Sequence, residues 1–251
     1  MTKAAETVGE ILGKKAWGLC EAVVKKIVLA YNVNIPHLAT HFERYLKRAY
    51  QKYDRVNTLA LANQGISLRD IYSPLTLVRE GIKKDGEKFE YKIDQYPEDL
   101  FSASKKVLIR DTAGMGKSTV LKFLFLEAVD KEKGIPFIIE LRNLSKQHSV
   151  LKEIRQQLKS LTKEFAEDLL RKLFNERKGN FIFLFDGYDE IAESERAAVT
   201  ADLKSFIEQV GDNTFVLTSR ADSALPSFGD FASFRIRPPY RRRILPTPAE
   251  V

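Results

Sequence analysis

Cysteine and long apolar runs are almost missing from this 251-residue sequence. Its single cysteine, Cys20, excludes an internal disulfide and is typical of a protein from a reducing compartment. The sequence has no run of about 18 consecutive apolar residues, so we expect no membrane span. Residues 1–17 include acidic side chains and no apolar core with a cleavage site, which argues against a secretory signal. We therefore predict a cytoplasmic protein.

Internal repeats and low-complexity tracts are also missing. Hydrophobic residues make up 44% and charged residues 30% of the chain, which favours a folded globular protein over a disordered one. The formal net charge is +7, with 41 basic and 34 acidic residues. Such an excess leaves nucleic acid open as a partner, but we favour an ordinary solvated surface with a basic tail.

The first 98 residues predict a helical adaptor domain with a short β-hairpin. Apolar residues recur at helical spacing over about 4–31 and again over 38–56, with "NVNIPH" between the two patterns. Two β-prone runs, 71–78 and 88–93, flank a charged turn that contains glycine, which predicts the hairpin.

Residues 99–240 alternate between apolar strand-like runs and helical patterns. Apolar strands that alternate with helices predict an α/β fold with a parallel five-stranded sheet covered on both faces. Residues 241–251 form an irregular basic tail in this interpretation. The predicted strands are 106–110, 134–144, 180–190, 213–220 and 231–237, and the predicted helices are 118–130, 149–174 (as two helices) and 193–210.

The stretch "TAGMGKST" follows the first of these strands and opens the first of these helices. Gly114 and Gly116 allow a tight loop whose backbone N–H groups surround phosphate oxygens. Lys117 would then reach the β- and γ-phosphates, and the Ser118 hydroxyl would ligate Mg²⁺. The predicted nucleotide-binding residues are Thr112, Ala113, Gly114, Met115, Gly116, Lys117, Ser118 and Thr119.

Position 111 departs from the usual G-x-x-x-x-G-K-[ST] spacing, which would place a glycine there. Asp111 can adopt a left-handed conformation without large strain. Its charge should lower phosphate affinity unless the carboxylate points away or pairs with Arg110. We therefore predict a weakened site.

Acidic residues follow the apolar strand in "FIFLFDGYDEI". Asp186 is suited to hold Mg²⁺, and Asp189 or Glu190 could orient or deprotonate the attacking water. The alternative for the last two is an acidic first turn of the next helix. Arg220, at the end of "TFVLTSR", could neutralise the γ-phosphate or be a surface cation.

One side of the second predicted helix is basic. Its residues could bind nucleic acid, an acidic partner or a membrane surface, although a solvated face is the default interpretation. They are His41, Arg44, Arg48, Lys52 and Arg55.

Four segments together resemble the NACHT branch of the signal-transducing P-loop ATPases, the STAND group related to NLR proteins. They are "RDTAGMGKST", "FIIELRNLS", "FLFDGYDEI" and "VLTSR". The resemblance implies binding of ATP or dATP with Mg²⁺, slow hydrolysis and a switch between monomer and oligomer. It also implies strand order 2-3-4-1-5, with the Arg220 strand between the phosphate-loop strand and the Asp186 strand. The N-terminal helices and "IYSPLTL" resemble bacterial members, many of which act in anti-phage defence.

Members of this family normally continue into lid and sensor domains, whereas about 14 residues follow Arg237 here. We therefore expect a signal-transduction module that lacks those domains and associates with itself or a partner protein through its N-terminal helices. The alternatives are a truncated, non-catalytic interaction module acting through the same helices and a nucleic-acid-dependent ATPase.

Overall fold

The computed structural model describes residue 18 and residues 38–56, 66–81, 89–158, 167–175, 181–221 and 228–237. The predicted first helix, apart from residue 18, and the predicted tail lie outside the described residues. No helix within the described ranges is long and apolar enough to cross a membrane.

The described chain alternates between strands and helices. The strands are β1 (Arg55–Val56), β2 (Ile66–Ser67), β3 (Leu75–Arg79), β4 (Glu90–Ile93), β5 (Lys106–Arg110), β6 (Ile135–Glu140), β7 (Phe181–Asp186), β8 (Thr214–Ser219) and β9 (Ala232–Ile236). The helices are α1 (Leu38–Asp54), α2 (Leu68–Ile71), α3 (Glu98–Ala103), α4 (Lys117–Asp130), α5 (Val150–Gln157), α6 (Glu167–Phe174) and α7 (Glu193–Gln209). Short 3₁₀ turns lie at Leu141–Asn143 and Tyr188–Glu190.

The main sheet has seven strands in the order β4-β3-β9-β5-β8-β7-β6. The five strands from β9 to β6 are parallel, whereas β3 is antiparallel to both β4 and β9. The five parallel strands agree with the prediction, but the sheet has seven strands in all, because the hairpin assigned to the N-terminal domain extends it. Leu77 of β3 lies opposite Ile236 of β9, so the sheet continues across the predicted domain boundary at residue 98.

Burial explains why the parallel strands read as uninterrupted apolar runs. Phe181 to Phe185 of β7 are all buried, as are Ile135 to Ile139 of β6, since helices cover both faces of the sheet. Helix α4 is buried over most of its length, from Val120 to Val129 except for Lys122. A helix that is apolar around most of its circumference belongs in the interior, and α4 packs there against β6 and β7.

Helix α1 packs onto this same core. The Tyr45 ring stacks on Phe137 of β6 with ring centroids 4.7 Å apart, and its hydroxyl donates to the Pro136 carbonyl at 2.9 Å. Tyr53 meets Phe125 of α4 edge-on, with centroids 4.9 Å apart. The apolar side predicted for this helix is therefore buried against the sheet and α4.

A partly buried polar seam joins the N-terminal elements to the second half of α4. Arg69 of α2 pairs with Glu127 at 2.9 Å and with Asp130 at 2.5 Å. The Tyr50 hydroxyl of α1 donates to Asp130 at 3.0 Å, and the Tyr96 N–H donates to Glu127 at 3.2 Å. Glu127 is buried, and a buried charge is tolerated when it is paired and hydrogen-bonded, as it is here.

Part of the basic side of α1 also contacts the core. Arg48 donates to the Gln157 carbonyl of α5 at 2.8 Å, and the Lys52 ammonium lies 3.7 Å from a Glu140 carboxylate oxygen at the end of β6. Arg48 is partly buried by its contact, whereas the Lys52 side chain remains 65% exposed, so most of this basic side still faces solvent, as in the default interpretation.

Candidate functional site

The loop between β5 and α4 contains two glycines in the left-handed region. Gly114 has φ 81° and Gly116 has φ 88°, and L residues with a side chain rarely adopt such angles. A Cβ on Gly116 would also lie 3.0 Å from Cδ1 of Leu75, whereas a Cβ on Gly114 would meet nothing within 4 Å. The backbone of this loop is therefore fixed by glycine at both positions, with Gly116 directly before the first residue of α4.

Lys117 opens α4 and folds back across the loop. Its ammonium donates to the carbonyls of Asp111 and Thr112, both at 2.7 Å. The N–H groups in the first turn of a helix have no partner within the helix, and the helix dipole adds positive potential there. Ser118 is exposed and Thr119 half-buried in this turn. An anionic ligand fits this arrangement of lysine, glycine backbone and helix start.

The other predicted nucleotide-binding residues lie in the same loop. Thr112, Ala113 and Gly114 are exposed, and Met115 is partly buried against the core. Asp111, at the start of the loop, turns its carboxylate toward backbone amides. One oxygen accepts from the Thr112 N–H at 2.8 Å, and the other accepts from the Ile236 N–H at 2.9 Å.

Arg110 donates to the Ala221 carbonyl at 2.7 Å. Of the two arrangements expected for Asp111, the described hydrogen bonds correspond to a carboxylate directed toward β9 and not to a pair with Arg110.

Asp186 ends β7 at the same edge of the sheet as the phosphate loop. In the strand registers Phe185 lies opposite Leu217 of β8, and Thr218 of β8 lies opposite Ile109 of β5. Neighbouring strands are about 4.8 Å apart, so Asp186 and the end of β5 are separated by roughly 10 Å across β8. The carboxyl edge of parallel strands is where open α/β sheets bind ligands.

The fully buried hydroxyl of Thr218 orients Asp186. It donates to one Asp186 carboxylate oxygen at 2.8 Å and accepts from the Gly187 N–H at 2.9 Å. In the described part of the chain the second Asp186 oxygen has no hydrogen-bond donor. The sequence marks Thr218 only as part of a strand end, and its role depends on a contact between two strands.

The oxygen atoms of the candidate site suit Mg²⁺, which needs few protein ligands, better than they suit a metal ion that is coordinated by protein side chains alone. The described residues contain no group of three or more His, Cys, Asp or Glu side chains that could hold a metal ion. Magnesium usually takes one or two carboxylates, waters and substrate phosphates, and does not need such a cage. A carboxylate such as Asp186 and a hydroxyl such as Ser118 are suitable ligands of this kind.

Glu190 folds back over Gly187, beside Asp186. Gly187 has φ 74°, and a Cβ there would lie 2.9 Å from the Glu190 side chain, so glycine is required for this turn. Arg142 lies 3.3 Å from a Glu190 oxygen and donates to Glu140 at 2.6 Å. The hydrogen bond to Glu140, followed by the charges of Glu140 and Glu190, raises the pKa of Arg142.

Glu140 is the residue of β6 that lies opposite Asp186. It also approaches Lys52 of α1, so alternating charges run from α1 through Glu140 and Arg142 to Glu190. The sequence did not predict Glu140 or Arg142 as site residues, although both stand in the quoted segment "FIIELRNLS". Their neighbours in space are more than 40 positions away in the chain, at Asp186 and Glu190.

The Asp189 carboxylate binds Arg220, so its surroundings differ from those of the Glu190 carboxylate. Its two oxygens accept from the Arg220 backbone N–H at 2.9 Å and from Nε of the same residue at 2.8 Å. The Asp189 side chain is 10% exposed, whereas the Glu190 side chain is 45% exposed. The structure thus brings Arg220 to the site edge with its guanidinium held by Asp189.

A family model for the NACHT domain matches residues 105–238, just over half of the chain. The chain belongs to the NACHT family. This confirms the resemblance drawn from the four sequence segments, and membership implies a nucleotide-binding P-loop NTPase module. No curated protein gave a significant match. The NACHT match covers β5 to β9 and leaves α1, β3 and β4 outside it.

Proposed function

We propose that this NACHT protein binds ATP or dATP with Mg²⁺ and hydrolyses it slowly as a signal-transduction switch. The observation that carries the proposal is the juxtaposition of two features at one sheet edge. The glycine loop and the start of α4 lie at the end of β5, and the Asp186 carboxylate lies one strand away across β8.

The loop from Thr112 to Thr119 would hold the phosphates through backbone N–H groups, with Lys117 at the β- and γ-phosphates. Ser118 and Asp186 would hold Mg²⁺. When bound, this ion supplies positive charge that neutralises the phosphate oxygens. Thr218 binds one Asp186 oxygen, and the other oxygen would be the one to ligate the ion.

Glu190 is the better candidate to orient or deprotonate the attacking water. It is more exposed than Asp189 and folds over Gly187, the residue after Asp186, whereas both oxygens of Asp189 bind Arg220. Asp189 then acts as a positioning residue for Arg220, whose guanidinium would neutralise charge on the γ-phosphate. Slow hydrolysis agrees with a switch in which ATP must remain bound between signals.

The binding experiment compares the full-length wild type with Lys117→Ala and with Lys122→Ala, an exposed lysine on the same helix. Titration calorimetry with ATP and Mg²⁺ should give saturable binding for the wild type and Lys122→Ala, and none for Lys117→Ala. Equal binding by all three proteins would contradict the role given to Lys117 and the proposed site.

The turnover experiment measures phosphate release at saturating ATP. Glu190→Gln should lower the rate about 100-fold or more, the usual contribution of a general base, while ATP affinity changes little. Glu193→Gln, which changes an exposed acid in the first turn of α7, should match the wild type. Absence of turnover in the wild type would favour the non-catalytic interaction module instead.

We propose the remaining roles from the family resemblance. They are self-association or binding of a partner protein through the N-terminal helices, a part in bacterial anti-phage defence and a cytoplasmic location. Size-exclusion chromatography with ATP and with ADP would test the first of these.

A further inference from the structure

Asp111 occupies the position where the phosphate-loop spacing places a glycine, and its carboxylate has two backbone partners. The partners belong to different segments: Thr112 is the next residue of the loop, whereas Ile236 is the last residue of β9. A glycine at position 111 could make neither hydrogen bond. The unusual residue is therefore integrated into the fold.

The contact with Ile236 continues the sheet where β5 has ended. The parallel pairing of β5 with β9 includes Ile109 opposite Phe234. Two residues further on, the chain has left the strand to begin the loop, and the Asp111 carboxylate accepts the Ile236 N–H at 2.9 Å. On the other side, the Asp111 N–H donates to the Ser219 carbonyl of β8 at 3.3 Å. Asp111 is thus hydrogen-bonded to both strands that flank β5, to β9 through its carboxylate and to β8 through its backbone N–H.

The other end of the loop rests on the strand beyond β9. Cδ1 of Leu75, in β3, lies 3.0 Å from the position that a Cβ on Gly116 would take. The start of the phosphate loop therefore contacts β9 and its end lies next to Leu75 of β3, and these two strands pair through Leu77 and Ile236.

We propose that Asp111 is a positioning residue of the nucleotide site, whose carboxylate fastens the start of the phosphate loop to β9 and thereby increases affinity for the diphosphate part of a nucleotide. The proposal rests on the proposed function. It predicts that Asp111 increases nucleotide affinity, whereas charge repulsion between the aspartate and the phosphates would decrease it. Both carboxylate oxygens accept backbone N–H groups, and such charge-assisted hydrogen bonds are stronger than neutral ones.

The test uses Asp111→Asn and Asp111→Gly in the full-length chain, with Asp212→Asn as a control at an exposed acid far along the sequence. Asparagine keeps the shape of the side chain but has one acceptor oxygen, so it cannot accept both N–H groups. We expect affinity for ATP and for ADP to fall by about threefold to tenfold in each variant, the effect of one or two such hydrogen bonds. The turnover rate at saturating ATP should stay near that of the wild type, as should all properties of the control.

Unchanged or tighter binding by both variants would overturn the proposal, and tighter binding would favour charge repulsion. Loss of binding in Lys117→Ala would in either case leave the proposed function intact. A fall in melting temperature with unchanged affinities would show a structural role only and would also overturn it. If the wild type binds no nucleotide, the proposed function fails first.

A measurement on the wild type alone covers the case in which the variants do not fold. Hydrogen exchange of the Ile236 amide should slow when ATP or ADP binds, because the loop and its hydrogen bond to β9 tighten together. Exchange that does not change on saturation with nucleotide would contradict the proposal.

Discussion

Replacing Thr218 with valine removes one hydroxyl from the buried end of β8 and keeps the branched shape of the side chain. The hydroxyl donates to the Asp186 carboxylate at 2.8 Å and accepts from the Gly187 N–H at 2.9 Å, and it also lies 3.5 Å from the Phe185 carbonyl oxygen. Gly187 is itself buried, so water cannot replace the lost acceptor. Asp186 is half-buried, so solvent can hydrate the carboxylate oxygen that loses the Thr218 hydroxyl.

The cost follows from the buried amide. A buried N–H left without a partner costs about 1 to 3 kcal/mol, so the free energy of unfolding should fall by about 2 kcal/mol. In a domain of this size each 1 kcal/mol lowers the melting temperature by about 2 to 4 °C, which gives a fall of about 4 to 8 °C. The orientation of Asp186 should also be lost, and with it part of the Mg²⁺ dependence of nucleotide binding.

The assay combines thermal melting by circular dichroism with ATP titrations at several Mg²⁺ concentrations. Thr218→Ser is the matched control because it keeps the hydroxyl and loses one methyl group, worth about 0.8 kcal/mol. It should melt slightly below the wild type and keep the same Mg²⁺ dependence. The role given to this hydroxyl would be refuted if Thr218→Val had the melting temperature of the wild type and bound ATP at the same Mg²⁺ concentrations.

Two further substitutions test other contacts. Arg142→Gln removes a partner of Glu190 and should lower phosphate release severalfold without changing ATP affinity, whereas Arg155→Gln, at an exposed position of α5, should have no effect. Tyr45→Phe removes the hydrogen bond to Pro136 and should lower the free energy of unfolding by about 1 to 2 kcal/mol, measured by urea denaturation. Burial raises the pKa of Tyr45, so the neutral ring stabilises the fold below about pH 10 and this contribution is lost at higher pH. The phenylalanine variant should therefore lose less stability than the wild type above about pH 10.

The parallel part of the fold could be predicted because burial on both faces leaves a local signature. Phe181 to Phe185 form one apolar run, and no polar residue alternates with them. The place of β3 could not be predicted in the same way. Its local pattern shows that a strand forms, but its pairing with β9 joins Leu77 to Ile236 across most of the described chain. Likewise, the apolar side of α1 predicts a buried face without showing that Phe137 of β6 covers part of it.

The candidate site shows the same limit at the level of single residues. The phosphate loop and the acidic strand end are continuous segments, so spacing alone was enough to predict their residues as site candidates. Thr218, Arg142 and the partner of Asp111 depend on contacts between segments that are distant in sequence. The choice between Asp189 and Glu190 stayed open for this reason, since the contacts that distinguish them, Asp189 with Arg220 and Glu190 with Arg142, join distant segments.

The pairing of β3 with β9 has a practical consequence for anyone who cuts this protein at the limits of its family match. A fragment of residues 105–238 would keep β9 but lose β3, and the backbone N–H and C=O groups on that side of β9 would face solvent. Such a bare edge, with Phe234 and Ile236 along it, is a template for intermolecular strand pairing and aggregation. Recombinant fragments meant for crystallisation should therefore start upstream of Leu38, so that α1 and β3 are retained.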